Sequence, residues 1–196
     1  MVATGVVVVT NQSARHWVGH QPACKAVLRE LREVRSVERV VVCNFTGAPL
    51  PVEPDAEVVL MEQSWAGPPP MHVLHAAVAK RLQGYTLVCC HAATPLVPAA
   101  AIEQCAEAVL GGATAAMTVK TVKALVPAPG QWSEAEVPVP VQGVLAFDAG
   151  LDWGRFPSGV PADKLVFVPV TRKQALSLAD DGDLELLQAL EFAGRI

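Results

Sequence analysis

The residues best equipped for chemistry in this chain stand where apolar runs break off. In V88-C-C-H-A-A-T-P-L-V-P98 an ionisable His91 closes an apolar segment, followed by two alanines and a turn bracketed by Pro95 and Pro98. An imidazole in such a place is a reasonable Zn²⁺ ligand and a poor Mg²⁺ one, or else its ring is hydrogen-bonded to a backbone carbonyl at a strand end. T10-N-Q-S-A-R15 offers hydroxyls, amides and one guanidinium without any glycine. Thr10, Asn11, Gln12 and Ser13 therefore form either a binding loop, with Arg15 as its cation, or a turn that enters a helix. Lys120 and Lys123 either hold an anion or stand as solvated strand-end charges. His16 and His20 are spaced i, i+4 and His72 and His75 i, i+3, as metal pairs are. No cysteine or carboxylate spacing converges on them, which predicts exposed or half-buried side chains. Asp180, Asp181 and Asp183 precede a helical pattern, where capping and the helix dipole account for them.

The elements that must position these residues are bounded by composition. At 196 residues, 52% hydrophobic and 17% charged, the chain has material for one well-buried core, a single domain over residues 1–196. A net charge of -4 supplies no broad basic surface, which argues against nucleic acid and anionic membranes as partners. No apolar run approaches the roughly 18 residues of a membrane-spanning helix, and the start M-V-A-T-G-V-V-V-V-T lacks the basic region of a signal peptide. Cys24, Cys43, Cys89, Cys90 and Cys105 are odd in number with no C-x-x-C pair, as expected of reduced thiols in a cytoplasmic protein. Cys89 and Cys90, adjacent in a strand, must face opposite sides of its sheet.

Along the chain, strand and helix patterns alternate. Strands are predicted at Val6–Thr10, Val37–Asn44, Ala56–Met61, Tyr85–Cys90, Ala113–Lys120 and Leu165–Val170, where β-branched and apolar residues run together. Helices are predicted at Pro22–Val34, Met71–Leu82 behind the triple proline Pro68–Pro70, Pro98–Leu110 ended by Gly111-Gly112, and Asp183–Ala193. Between Val122 and Gly143 the proline-rich V-P-A-P-G and V-P-V-P-V read as an arm or a pair of edge strands. The βαβα order implies an α/β fold: a mainly parallel, Rossmann-like sheet with helices on both faces. Ligands of such sheets bind beyond the carboxyl ends of the strands, which singles out T10–R15, N44-F-T-G47, E62-Q-S64, H91-A-A-T94 and T118-V-K-T121.

With those segments in view, C90-H-A-A-T-P-L-V-P98 resembles the H-D-A-A-R-P-L-V-P loop of the 2-C-methyl-D-erythritol 4-phosphate cytidylyltransferases, within the wider sugar-nucleotidyltransferase superfamily. S36-V-E-R-V-V-V-C43 is similar to that family's second strand, G112-A-T-A-A-M-T-V-K-T-V-K123 to its G-x-x-A-x-P-V-x-D-T-x-K segment, and D183-L-E-L-L-Q-A-L-E-F to its closing helix. The resemblance implies a three-layer nucleotidyltransferase fold and a homodimer whose 122–143 arm crosses to the partner. It also implies a nucleotide or sugar-phosphate ligand. If active, the protein would join CTP to a sugar-alcohol phosphate with Mg²⁺ and release pyrophosphate. That chemistry needs a cation, hard oxygen ligands and a glycine-rich phosphate cradle.

The catalytic set departs from the family's. Its glycine-rich first loop is replaced by T10-N-Q-S-A-R-H-W-V-G-H20, with Arg15 alone placed for phosphate. His91 falls where the metal-binding aspartate lies, Thr94 where an arginine lies, and Pro69 and His72 where an arginine and a serine lie. D-T-x-K becomes K120-T-V-K123, so Thr121 and Lys123 persist and Lys120 replaces the carboxylate; Q174-A-L-S177 stands where an acid and a lysine precede the last helix. Two functions compete: a degenerate member that acts by binding, or an active transferase that uses Arg15, Lys120 and Lys123 for phosphate charge. A merely architectural likeness is the third option. On the first reading His91 faces an empty or solvent-filled cleft as a neutral imidazole, with Glu62, Asn44 and Thr94 too few to complete a metal site. His91→Ala would then cost no more than about half a kilocalorie per mole.

Overall fold

The structure, a computed structural model, describes residues 2–62, 70–129, 131–148 and 150–195. In chain order it contains β1 (Ala3–Val9), a single-turn α1 (Asn11–Ala14), the two-residue strands β2 (Trp17–Val18) and β3 (Gln21–Pro22), α2 (Ala23–Arg32), β4 (Val37–Asn44), β5 (Glu57–Leu60), α3 (Met71–Arg81), β6 (Thr86–His91), α4 (Ala99–Leu110), β7 (Ala115–Ala128), β8 (Gln131–Asp148), β9 (Leu165–Pro169) and α5 (Asp181–Phe192). The main sheet runs β5-β4-β1-β6-β8-β7-β9. The first four strands are parallel, β8 is antiparallel to both neighbours, and β7 is parallel to β9. The mainly parallel Rossmann-like sheet predicted from the βαβα order is the sheet observed.

The central strands β1 and β6 are buried on both faces, and their alternation sorts the core into two layers. Val7, Val9, Val88 and Cys90 pack with Cys24, Val27 and Leu31 of α2 and Ile102 and Cys105 of α4. Val6, Val8, Leu87 and Cys89 pack on the other side with Leu74, Val78 and Leu82 of the α3 segment. Cys89 and Cys90 thus face opposite ways, and all five cysteines are free and buried. Helix α4 stops at Gly111 and Gly112, the latter at φ 103, a left-handed conformation that glycine adopts without steric cost. Asp180 caps α5 by accepting from the Asp183 N–H. Pro70 is the N-cap of α3, whereas Pro68 and Pro69 lie outside the described residues.

The proline-rich arm is the distal part of the β7/β8 hairpin. Met117 pairs with Leu145 but Val119 with Pro140, so a two-residue step on β7 meets a five-residue step on β8. The surplus forms a bulge, where the Val144 N–H donates to Thr118 Oγ1 at 2.9 Å. Gly143 sits inside it: a Cβ there would lie 2.8 Å from Thr118 Oγ1 and 2.9 Å from Val97 Cγ2. Beyond the bulge the strands pair only with each other. Val122, Ala124, Val126, Ala135 and Val137 are half-buried on one face, while Leu125 and Trp132 are 66% and 68% exposed on the other.

Candidate functional site at the strand ends

The carboxyl ends of β5, β4, β1 and β6 form one rim. From β1 the chain steps outward to β4 and β5, then returns through α3 to β6 on β1's other side. That reversal marks the switch point where an open α/β sheet takes its ligand. The first predicted loop and His91 both stand there, since Val8 is paired with His91.

Strand alternation aims His91 at the α3 face, and the side chain is buried rather than set in an open cleft. Its Nε2 lies 2.8 Å from Nε2 of His75, which is also buried, with the rings edge-on at 79°. One imidazole must donate to the other, so each ring's remaining basicity is set by its surroundings. Burial pushes His75 down to about 4, helped by nearby His72. Burial, then His75, pushes His91 well below its usual value. The neutral imidazole expected of His91 is present, but its exposure is not. The sequence reading also left His75 exposed or half-buried, which the structure corrects. His75 shares its helix face with Val78 and Ala79, three and four residues on, and that spacing was the available signal. Trp153 stacks on His75 at 5.7 Å and meets Phe147 edge-on at 4.7 Å.

The other predicted residues hold the rim together. Thr94 is buried and donates its hydroxyl to the Gln142 carbonyl at 2.8 Å, tying the loop to β8. The Ala92 N–H donates to the Val8 carbonyl and the Ala93 carbonyl accepts from Leu178, so the loop is covered by the segment before α5. Pro98 opens α4, whose first N–H, of Ala99, donates to the Glu30 carboxylate at 3.0 Å. The T10–S13 segment is the turn and helix entry: Ser13 is buried, its hydroxyl accepts from the Thr10 N–H and donates to the Thr10 carbonyl, while Asn11 and Gln12 are exposed. Arg15 is exposed just after α1. Asn44 is buried in its own turn, accepting from Thr46 and donating to the Ala48 carbonyl.

Lys120 and Lys123 do not converge. Three residues apart on a strand, they project from opposite faces, with Lys120 half-buried and Lys123 exposed beside Thr121's face of the arm. His16 is half-buried and His20 and His72 are exposed, as expected. Ser64 and Pro69 lie outside the described residues.

These groups do not fit Mg²⁺. At the β6 end the side chains are an imidazole held by another imidazole and a hydroxyl held by a carbonyl. Glu62 is exposed after β5, three strand spacings from β6, or about 14 Å. Among the described residues no three His, Cys, Asp or Glu side chains are grouped so as to hold a metal ion. Nor is there a poised thiolate, since burial pushes Cys43 and Cys105 up to about 12 and Cys89 and Cys90 well above the usual thiol range.

What the rim does enclose is a cavity of about 170 Å³ on the α3 side of His91. His75, His91, Met117, Val144 and Leu145 form its buried floor, and the exposed His72, Pro140 and Gln142 its mouth. A separate open groove of about 710 Å³ runs past His20, Arg29, Thr171 and Lys173 on the α2 side. It contains none of the strand-end candidates.

No protein-family model matches the sequence, and no curated protein matches it. Solved structures do. The chain superimposes on CMP:2-keto-3-deoxy-manno-octonic acid synthetase, solved with CTP, with TM-score 0.68 and 9% identity over 100% of both chains. Against 2-C-methyl-D-erythritol 4-phosphate cytidylyltransferase from Thermus thermophilus the TM-score is 0.67 and the identity 18%, over 98% of this chain and 100% of that one. A Mycobacterium tuberculosis protein solved with manganese gives 0.63 and 15%, over 95% and 97%. With superposition over nearly the full length of both chains, the chain has the cytidylyltransferase fold.

Proposed function

We propose that this protein uses the cytidylyltransferase fold to bind a ligand or partner, and has lost nucleotidyl transfer. The observation that carries the reading is the buried His75–His91 pair: two neutral rings fill the strand end at which the family resemblance implies a metal-binding carboxylate in place of His91. Three further features support it. The first loop has no glycine cradle and folds into α1. The N-terminal donor of α4 is taken by Glu30. Lys120 and Lys123, two of the three cations an active enzyme would use alongside Arg15, diverge. An in-line attack on a triphosphate needs several convergent charges held at once, and those sequence candidates do not supply them.

The arm supports a homodimer. An isolated two-stranded ribbon is marginal in water, and this one carries an apolar face with Leu125 and Trp132 exposed behind it. No helix among the described residues is long and apolar enough to cross a membrane, and free buried thiols support a cytosolic setting.

The test is CTP with Mg²⁺. A ligand at about 100 times its Kd stabilises a fold by about 2.7 kcal/mol, or roughly 5–10 °C at this size. The expected result is no shift, and no pyrophosphate release with methylerythritol phosphate, for the wild type or for His91→Asp. Saturable stabilisation by CTP, or turnover on the order of 1 to 1,000 per second, overturns the reading.

A further inference from the structure

We propose that the cavity behind His91 binds a small uncharged aromatic ring bearing one hydrogen-bonding heteroatom, a phenol-like molecule, admitted between the start of α3 and the bulge in β8. The inference rests on the reading that this end of the sheet binds rather than transfers. It names what is bound.

Size comes first. The 170 Å³ cavity is close to the engineered cavity of about 150 Å³ that stays dry and takes up benzene. It suits one six-membered ring and is far too small for a nucleoside triphosphate. Charge comes second. Among the described residues the lining consists of Met, His, Pro, Val, Gln, Gly, Leu and Phe, with no Asp, Glu, Lys or Arg. An ion entering this floor would lose its hydration without gaining a counter-charge. Shape and chemistry come third. Met71 and Met117 face the same space as Phe156, and thioethers make favourable contacts with aromatic edges.

The imidazole pair supplies the polar contact. Joined through their Nε2 atoms, one ring must be the Nε2–H tautomer and the other the Nδ1–H tautomer. The pair therefore has one nitrogen left to donate and one left to accept. A hydroxyl, which both donates and accepts, matches a wall of that kind, and Gln142 at the mouth adds an amide. The bulge supplies one side of the cavity, since its residues Val141 to Gly143 are among those that line it.

The experiment titrates the full-length protein, labelled at its methionine ¹³C-methyl groups, with phenol, benzene and benzoate. Phenol should shift the Met71 and Met117 resonances saturably, with benzoate at least about tenfold weaker, and benzene bound but less tightly than phenol. Met71→Trp, a substitution at a half-buried position that lines the cavity from the α3 side, should weaken phenol, read at Met117, about tenfold or more. A His75→Leu/His91→Leu variant, if folded, should abolish the preference for phenol over benzene. Four results would overturn the proposal: no saturable shift with phenol, benzoate binding as tightly, undiminished binding by Met71→Trp, or stoichiometric Zn²⁺ shifting the same methyl groups. If CTP were turned over, the reading of the previous subsection would fall and the phenol titration would still decide this one. If phenol failed while CTP stayed inert, this inference alone would fall.

Discussion

Mild acid should destabilise this fold through its buried imidazoles, before ordinary carboxylates take up protons. The unfolded chain protonates His75 near the ordinary 6.5, whereas burial holds it at about 4 in the folded state. Between those values the unfolded chain binds more protons, so stability rises with pH. The contribution is fully present above pH 6.5 and is lost as pH falls toward 4. One pKa unit corresponds to about 1.4 kcal/mol, so moving from pH 7.5 to 5 should remove about 2 kcal/mol on account of His75 alone. His91 is displaced in the same direction, which makes that figure the contribution of a single ring. With a urea slope of roughly 1–3 kcal/mol per molar, the midpoint should drop by about 1 M. Urea unfolding followed by circular dichroism at pH 7.5, 6 and 5 measures this, and imidazole ¹⁵N shifts identify the rings. Equal midpoints at pH 7.5 and 5, or both rings titrating near 6.5, would refute the reasoning.

Further expectations concern single side chains and assembly. His91→Ala should cost about 2–4 kcal/mol in chemical denaturation, because it leaves a void and an unpartnered His75; a loss of half a kilocalorie would mean the ring is exposed after all. Gly143→Ala should cost about 1–3 kcal/mol by the same measurement, since its Cβ has nowhere to go inside the bulge. Thr94→Val should cost about 1 kcal/mol by leaving the Gln142 carbonyl unpaired. In sedimentation at micromolar concentration the wild type should be a dimer, and Leu125→Glu/Trp132→Glu should shift it toward monomer; a wild-type monomer would rule out the arm as an interface.

Much of the fold was legible because its signals are local. A run such as V6-V-V-V9 declares a doubly covered strand, and Gly111-Gly112 declares a helix end. The single turn of α1 and the two-residue strands β2 and β3 are too short for periodicity to register. The site was legible in its place but not in its chemistry. His91 was found at the right strand end, yet its partner stands sixteen residues away on a helix that only the return across the sheet brings near. The divergence of Lys120 and Lys123 was open to inspection, since a spacing of three in a strand changes face; what hid it was the assumption that β7 ended at Lys120, when it runs on to Ala128. The bulge at Thr118 leaves no mark in composition, because it depends on which residues of two long strands pair.

The place of β8 in the sheet also dictates an order of assembly. β1, β4, β5 and β6, with the helices between them, form a contiguous amino-terminal half of the chain, so their parallel ladder is complete once residue 91 has emerged. The neighbour that covers β6 on its other side is not β7, which comes next, but β8, which follows α4 and all of β7. Until that strand arrives, Leu87, Val88, Cys89 and Cys90 form an open apolar edge in the middle of the future sheet. Uncovered edges of this kind invite pairing with other chains, and distant pairings are slow to form. During synthesis the strand that ends at His91 is thus an aggregation-prone surface, and the strand that seals it arrives only after a helix and the first strand of the hairpin arm have been made.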